Sequence, residues 1–480
     1  MVADLNTVWS APAEPPRRNG HGRAAGLVRG AAQPDGDWAL VGELSDLVGD
    51  RLTQVIKTRE EAGQQLSEAA KRQLGKKLIE EELRKMIRDR SELGQSIPAP
   101  GEEDWLRRSI YAVQFGLGRL EALVADPDIE NIIINGHDRV QLRYADGRLV
   151  DGPEVADSEE ELLALVNRIG TRLGSAERAL TPANPKFRMS LPDGSRLSAV
   201  SFVTPRTQVA IRRHRTAAAN LADMAEMGMI SSSLRAFLGA LVRCRKSTLV
   251  VGAPNAGKTS LLRAMLHECA PSERIAIIES ENELNLHADG VRHPWILPLE
   301  ARPGSTERHG AGEVTLSDLV KVALGQTASR LVVGEALGGE LIQLLNALMT
   351  GGSGMGTMHA ESARDAFTRM TVMCQPMPAE AAYRLAAVAV QYVVVVELVD
   401  ETAIGGRMHR YVREVARVAG VGVGGLPDLD YVYQAGEDGR AVPLGKATDL
   451  LTLRRAGFDP AWLDPSNGGW KQPLDLVVRG

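Results

Sequence analysis

Gly252-Ala-Pro-Asn-Ala-Gly257-Lys258-Thr259 matches the pattern G-x-x-x-x-G-K-S/T in full. The apolar run Ser247–Val251 before it predicts a buried strand, and the run Ser260–Leu266 after it predicts a helix. The glycines let backbone N–H groups turn towards a phosphate, and the helix N-terminus adds the positive end of its dipole. The residues expected to surround a phosphate chain are Gly252, Asn255, Ala256, Gly257, Lys258, Thr259 and Ser260.

Within this loop, two side chains have specific expected tasks. Lys258 would reach the β- and γ-phosphates of a nucleotide, and the Thr259 hydroxyl would bind Mg²⁺. The sequence therefore predicts a site for ATP with Mg²⁺.

Two further apolar strands end in acidic residues. Ile275–Ile278 is followed by Glu279, and Leu331–Val333 is followed by a glycine and Glu335. Such strands suit a parallel sheet that helices cover on both faces. A carboxylate at a strand end beside the loop can contact the Mg²⁺ shell or orient water, but many buried strands end in an acid, so each signal alone is weak.

His359 follows the glycine-rich stretch Gly351–Gly356. A lone histidine is more often structural than functional. In this position it is also a candidate sensor of the γ-phosphate.

Composition limits the class of protein. The 480 residues suggest two or three domains, and the net charge of -5 argues against wholesale nucleic-acid binding. Cys244, Cys269 and Cys374 fit neither a zinc site nor a disulfide framework, which favours a reducing cytosol. No secretory signal is visible, and the longest apolar run, Leu385–Val399, is too short and too polar to span a bilayer. We therefore expect a cytoplasmic protein without an integral membrane segment.

Changes in composition suggest six regions along the chain. Helical periodicity precedes the linker Gln95–Pro100, and a predicted hairpin of Ile129–Ile134 and Val140–Tyr144 opens a mixed α/β section. The predicted regions are a Pro/Gly/Arg-rich tail (1–36), a helical region (37–100), an N-terminal mixed α/β domain (101–216), an interdomain linker (217–230), a domain with the phosphate-binding loop (231–405) and a C-terminal extension (406–480).

The order of the motifs resembles one superfamily. After the phosphate-binding loop come I-E-x-x-x-E-L at Ile278–Leu284, V-G-E-x-x-G-G-E at Val333–Glu340 and T-x-H-A at Thr357–Ala360. This series is similar to the ATPases that power type II and type IV secretion and type IV pili, and most similar to their tight-adherence (Tad/Flp) pilus branch. Upstream stretches such as Leu191–Arg196 also match, so the resemblance covers about residues 115 to 397.

The resemblance implies a hexameric ring with a RecA-like P-loop ATPase core preceded by a smaller mixed α/β N-terminal domain and a helical N-terminal region. It implies that 101–216 is a sensor domain and 231–405 a RecA-like ATPase domain. Nucleotide would lie between the N-terminal domain and the core, and the ring would work at the inner membrane face on the platform proteins of a pilus or secretion machine. The resemblance also implies a role for each site residue. Lys258 and Thr259 would bind phosphate and Mg²⁺, Glu335 would be the Walker B acid, and His359 would belong to the histidine box. Glu279 and Glu283 would form the acidic box, in which Glu279 would activate water, and phosphate contacts across the cleft would come from Arg196, Arg212 and the weaker candidate Arg302.

Several positions depart from the family pattern. Ser280 replaces the usual Asp, Thr327-Ala-Ser-Arg330 keeps only the last Arg of Arg-Pro-Asp-Arg, Ala336-Leu337 loses an Arg, and Arg188 stands where an acid is common. Three functions therefore stay open: an active motor, a degenerate ring subunit that binds nucleotide with little turnover, and a DNA-translocating helicase. A helicase would usually show paired acids at the Walker B strand and a more basic surface. Arg196 and Arg212 could also be plain salt-bridge residues.

Overall fold

The structure divides into two units between Phe115 and Gly116. The computed structural model describes residues 36–173, 179–191, 193–213, 219–288, 292–302, 312–335, 340–349, 353–422, 425–447 and 449–477. The predicted tail, 1–36, therefore lies outside the described residues except for its last position. None of the described helices is long and apolar enough to cross a membrane.

The first unit is a three-helix assembly of α1 (Trp38–Glu61), α2 (Glu68–Glu92) and α3 (Pro100–Phe115). Its helical character agrees with the sequence, but its end does not agree with the predicted boundary at residue 100. The third helix belongs to this unit because Trp105, Leu106 and Ile110 are buried in the same apolar cluster as residues of α1 and α2. Periodicity marks a helix, but it does not say against which neighbour the helix packs.

Close packing inside this unit makes one glycine critical. Gly75 lies buried in α2, where an added Cβ would stand 2.3 Å from the Phe115 ring. Gly42 lies exposed in α1, where an added Cβ would meet nothing within 4 Å. Both glycines are inside helices, so the two positions differ mainly in the available space.

We therefore expect Gly75→Ala to destabilise the helical unit by about 1–3 kcal/mol through overpacking. Gly42→Ala, the matched control, should instead stabilise it by about 0.5–1 kcal/mol, because alanine is the better helix former. Chemical denaturation monitored by the far-ultraviolet circular dichroism of the whole chain measures both. Equal effects of the two substitutions would contradict this packing.

The second unit begins with an antiparallel sheet. Its six strands follow the order β3-β2-β1-β6-β5-β4. The elements are α4 (Leu120–Ala125), β1 (Ile129–Asn135), β2 (Val140–Tyr144), β3 (Leu149–Asp151), α5 (Glu159–Leu173), β4 (Lys186–Ser190), β5 (Arg196–Val200) and β6 (Gln208–Arg212). Side chains alternate along β1, so that Ile132 and Ile134 pack in an apolar cluster with residues of α5 while Ile133 is exposed.

A nine-stranded sheet forms the rest of the second unit. Its strands are β7 (Thr248–Gly252), β8 (Ile275–Glu279), β9 (Ile296–Glu300), β10 (Arg330–Val333), β11 (Ser353–His359), β12 (Tyr392–Asp400), β13 (Met408–Val421), β14 (Pro427–Ala435) and β15 (Ala441–Pro443). They follow the order β15-β14-β13-β12-β7-β11-β10-β8-β9. The strands from β12 to β9 in this order pair in parallel, and β13, β14 and β15 add antiparallel strands beyond β12.

Helices cover both faces of this sheet. They are α6 (Leu221–Glu226), α7 (Ser232–Arg243), α8 (Lys258–Leu266), α9 (Leu316–Gly325), α10 (Glu340–Met349), α11 (Ala363–Met373), α12 (Ala379–Ala389) and α13 (Leu450–Arg455). Along β7, Val250 packs in one apolar cluster with α6–α8, while Leu249 and Val251 pack in the other with α9–α12. The predicted fold class, a mostly parallel P-loop core preceded by a smaller α/β domain and helices, is thereby confirmed.

Two predicted boundaries fall inside this core. The expected linker, 217–230, contains α6, whose Leu221 and Met224 are buried against the helices of the core. The expected C-terminal extension, 406–480, continues the sheet, because β13 pairs with β12 from Tyr392↔Arg417 to Asp400↔Met408. Both errors have the same cause, because the contacts that attach these segments to the core are with residues distant in the sequence.

Candidate nucleotide-binding site

The phosphate-binding loop lies at the centre of the sheet, where β7 is flanked by β11 and β12. It requires glycine at two points. A Cβ on Gly252 would stand 2.2 Å from the Val396 backbone oxygen, and Gly257 caps α8 with a left-handed φ of 94°. Asn255, between them, also has a positive φ of 62°. The loop thus turns sharply out of the strand and presents the N-terminus of α8.

Lys258 begins α8, and its ammonium is buried under the loop. Its Nζ lies 2.9 Å from the Ala253 carbonyl oxygen and 3.1 Å from His359 Nδ1. Only 6% of the residue is exposed, and this burial lowers the pKa of Lys258 to about 8.

His359 connects Lys258 to Glu335. Its Nε2 lies 2.7 Å from Glu335 Oε1. One tautomer satisfies both contacts, since Nδ1 accepts from the ammonium while Nε2–H donates to the carboxylate. Three of the predicted catalytic residues, which stand far apart in the sequence, are therefore joined in one hydrogen-bonded chain.

The Glu279 side chain holds the backbone of the acidic box in place through hydrogen bonds. Its carboxylate accepts the backbone N–H groups of Glu283 and Leu284 at 3.2 and 3.0 Å. The residue is 4% exposed, and burial raises the pKa of Glu279 to about 7 despite these bonds. Arg263 of α8 donates to the carbonyl oxygens of the same two residues. Of the two acidic-box glutamates, Glu283 lines the cavity described below, while Glu279 shapes the loop.

The three predicted arginines have different positions. Arg212, at the end of β6, lines the cavity with Lys258. Arg196 donates to the Glu281 carbonyl oxygen at 2.8 Å and pairs with the carboxylate of Glu283 at 3.4 Å. Arg302 is not brought to the site, because it follows the edge strand β9, is exposed and donates to a backbone carbonyl oxygen ten residues later.

The departures from the family pattern also have defined positions. Ser280 is exposed, and Arg188 pairs with the carboxylate of Glu281 at 3.5 Å. Arg330 is fully buried, where it bonds to Glu273 at 3.0 Å. The Ala336-Leu337 change lies outside the described residues.

A cavity of about 500 Å³ opens over the loop. Of the predicted phosphate residues, Asn255, Gly257, Lys258, Thr259 and Ser260 line it. Ala256 is buried beneath the loop, and Gly252 packs against the backbone of β12. The volume suits a nucleotide-sized ligand, and the basic side chains with the helix N-terminus suit its phosphates. Thr259 and nearby carboxylates are oxygen donors of the kind that Mg²⁺ prefers.

Two residues at this cavity, Arg410 and Met229, are not marked by any sequence motif. Arg410 of β13 donates its Nε to the Asn255 carbonyl oxygen at 2.9 Å and faces the Glu130 carboxylate of β1 at 3.3 Å. Met229 packs at Gly257, where an added Cβ would stand 3.1 Å from its methyl group. No short motif marks either residue, since Arg410 reaches the loop across 155 positions.

Burial of Glu279 predicts a pH effect on stability. Its pKa is about 7 in the fold against an ordinary value of 4.5, so protonated Glu279 favours the folded state. This contribution is complete below about pH 4.5, falls as the pH rises through the folded pKa and is absent above it. The free energy of unfolding of Glu279→Gln, relative to that of wild type, should therefore rise by about 2–3 kcal/mol as the pH increases from about 5 to about 8.

Urea unfolding of both proteins across this pH range measures the difference in free energy of unfolding. Glu437→Gln, in the exposed turn before β15, is the control and should follow wild type. A Glu279→Gln difference that does not change with pH would contradict the burial argument.

A strand, a glycine-rich loop and a helix at the centre of a parallel sheet define this chain as a P-loop protein. Residues 121–419 match the family model for type II/IV secretion system proteins. The chain therefore belongs to the type II/IV secretion family, as the motif order predicted.

Individual relatives are similar over the same region. A putative conjugal transfer protein of Mycobacterium tuberculosis (strain H37Rv) is 34% identical over 268 residues, which are 54% of this chain and 73% of the relative. The type IV secretion system protein PtlH of Bordetella pertussis is 28% identical over 298 residues, 56% of this chain and 83% of the relative. Among solved structures, the ATPase DotB of Legionella pneumophila is 18% identical with a TM-score of 0.45, covering 62% of this chain and 79% of its own.

Proposed function

We propose that this protein is an Mg-ATP-hydrolysing motor of a pilus, secretion or conjugation machine. The observation that carries the proposal is the chain Lys258–His359–Glu335 beside a nucleotide-sized cavity that Arg212 of the antiparallel sheet also lines. The lysine and arginine suit the charge of a phosphate chain, and the carboxylate suits an attacking water. ATP supplies the bond to be broken, and Mg²⁺, when bound, neutralises charge on its phosphates.

Each residue has a chemical task in this scheme. When a nucleotide binds, the Lys258 ammonium would bond to phosphate oxygens in place of the His359 nitrogen. The added anion would favour the charged form of Lys258. Thr259 would hold the metal ion. Glu335, oriented by His359 Nε2–H, would position the water or the metal shell, and Glu279 keeps the acidic loop in place as the further candidate for water activation.

The contact between the two sheets supports coupling to movement. Among the described residues, the apolar cluster of the antiparallel sheet shares no member with the clusters of the large sheet. Ion pairs such as Arg196–Glu283 and Arg410–Glu130 join them instead. A polar interface of this kind can open and close without exposing a core. Phosphates beside Glu283, which lines the cavity and pairs with Arg196, would weaken or strengthen this ion pair, and in this way hydrolysis would move the two sheets.

The wider assembly belongs to the same proposal. We propose a homo-hexameric ring that docks on inner-membrane platform proteins from the cytoplasmic side and does not act on nucleic acid. The relatives named for conjugal transfer and type IV secretion support this class of machine. The tight-adherence pilus branch is the particular machine that the motif order favours.

Lys258→Ala should lower steady-state Mg-ATPase activity by at least about 100-fold, because it removes the buried cation of the loop. Nucleotide binding should weaken as well. Lys57→Ala, an exposed lysine of α1, is the control and should keep full activity. The oligomeric state is recorded in the same samples by light scattering. Activity that survives Lys258→Ala would contradict the proposed site, and tight binding without turnover in wild-type rings would favour the regulatory subunit.

Glu335→Gln should keep nucleotide binding and slow turnover by about 100-fold. The glutamine oxygen can still accept from His359 Nε2–H, so the substitution removes the charge and keeps the geometry. Single-turnover hydrolysis and ADP affinity separate the two effects. Glu92→Gln, exposed at the end of α2, controls for the loss of a carboxylate. Full activity of Glu335→Gln would show that another acid has the Walker B role.

A further inference from the structure

We infer that the segment Lys471–Asp475 forms the wall of the cavity that holds the nucleoside part of the nucleotide. The inference rests on the proposed function, because it takes a nucleoside phosphate as the ligand. The segment lies beyond residues 121–419, the part of the chain that the family model matches. Gln472, Pro473 and Leu474 line the cavity together with the phosphate-binding loop.

The direction of a bound nucleotide follows from the strand order. His359 and Glu335, which would face the terminal phosphate, lie at the ends of β11 and β10 on one side of β7. The cavity continues on the other side, along Met408–Tyr411 of β13. A nucleotide whose terminal phosphate faces His359 must therefore extend its nucleoside towards β13 and the segment Lys471–Asp475.

The segment is fixed to the core at several points. Arg440, itself 6% exposed, donates to the Gln472 carbonyl oxygen at 2.8 Å and lies 4.5 Å from the centroid of a Trp470 ring. The Val477 N–H donates to the buried carboxylate of Glu401 at 2.8 Å. These contacts attach the segment to the β14–β15 turn on its N-terminal side and to the β12–β13 connection on its C-terminal side.

A second set of contacts places the segment beside the loop. Gln472 Nε2 donates to the carbonyl oxygen of Glu226, the last residue of α6, at 3.2 Å. Three residues later, Met229 packs at Gly257, and its carbonyl oxygen accepts the Val412 N–H of β13 at 2.9 Å. The turn after α6 therefore contacts both the segment, at Glu226, and the phosphate-binding loop, at Met229.

The chemistry of this wall suits a flat aromatic base. Pro473 and Leu474 offer apolar surface, and four methionines line the same cavity. Thioethers make favourable contacts with aromatic rings, and their flexible side chains adapt to the ring's position. The methionines are Met224, Met227, Met229 and Met408.

The segment offers a matched pair of leucines for the test. Leu474 lines the cavity, whereas Leu476, two residues later and also half-buried, does not. We would measure the dissociation constants of ADP and of inorganic pyrophosphate for the full chain by calorimetry. Leu474→Ser should weaken ADP binding roughly fivefold, because part of an apolar contact is lost, and leave pyrophosphate binding unchanged. Leu476→Ser should change neither constant.

A chain that ends at Trp470 provides the second variant, and it should weaken ADP binding by about tenfold or more. Retained pyrophosphate binding shows that each variant is folded around its loop. Unchanged ADP affinity in both Leu474→Ser and the shortened chain would overturn the inference, and so would an equal loss of ADP and pyrophosphate. A wild-type chain that binds neither ligand would instead overturn the proposed function and this inference with it.

Discussion

The buried ammonium of Lys258 is the group on which the site depends. A charge out of water is costly unless it is paired, and here its described hydrogen-bond partners are a carbonyl oxygen and an imidazole nitrogen. Glu335 bonds to His359 and acts on Lys258 only from a distance, as does Glu283. Burial therefore outweighs these attractions and lowers the pKa of Lys258 to about 8. A phosphate that met Lys258 directly would supply a stronger partner, so the fold gives this position a preference for anions.

The arrangement around Lys258 follows from the parallel sheet. His359 stands opposite Gly252 in the β11–β7 pair, at the carboxyl ends of both strands. Val333 of β10 stands opposite Gly356, which brings Glu335 to the same edge. Parallel strands align their carboxyl ends, and functional groups of open α/β sheets collect there. Strand order therefore converts three separate sequence motifs into one contiguous site.

Local sequence patterns were enough to predict strands of the parallel sheet and side chains that stand at their carboxyl ends. The loop, the acid-ending strands and the histidine are each defined by neighbours in the sequence, and strand–loop–helix order fixed the fold class. The packing of α3 in the helical unit, the pairing of β13 with β12 and the contact of Arg410 with Asn255 were not predictable in this way. Their partners lie far along the chain, and Arg410 belongs to a strand whose sequence carries no motif. Arg302 shows the converse, since a matching stretch of sequence placed it in a site that its edge strand does not reach.

The two sheets meet through ion pairs, two of which have a member at the cavity. Arg410 and Glu283 line the cavity, and their ion-pair partners on the antiparallel sheet are Glu130 and Arg196. A phosphate group in the cavity would compete for Arg410 and would add negative charge beside Glu283. Ion pairs between partly exposed groups are individually weak, with free energies near 0–1 kcal/mol. No apolar core among the described residues joins the sheets. In the proposed motor, the gain or loss of one phosphate charge would therefore act on contacts that are individually weak, and this is how hydrolysis would alter the separation of the sheets.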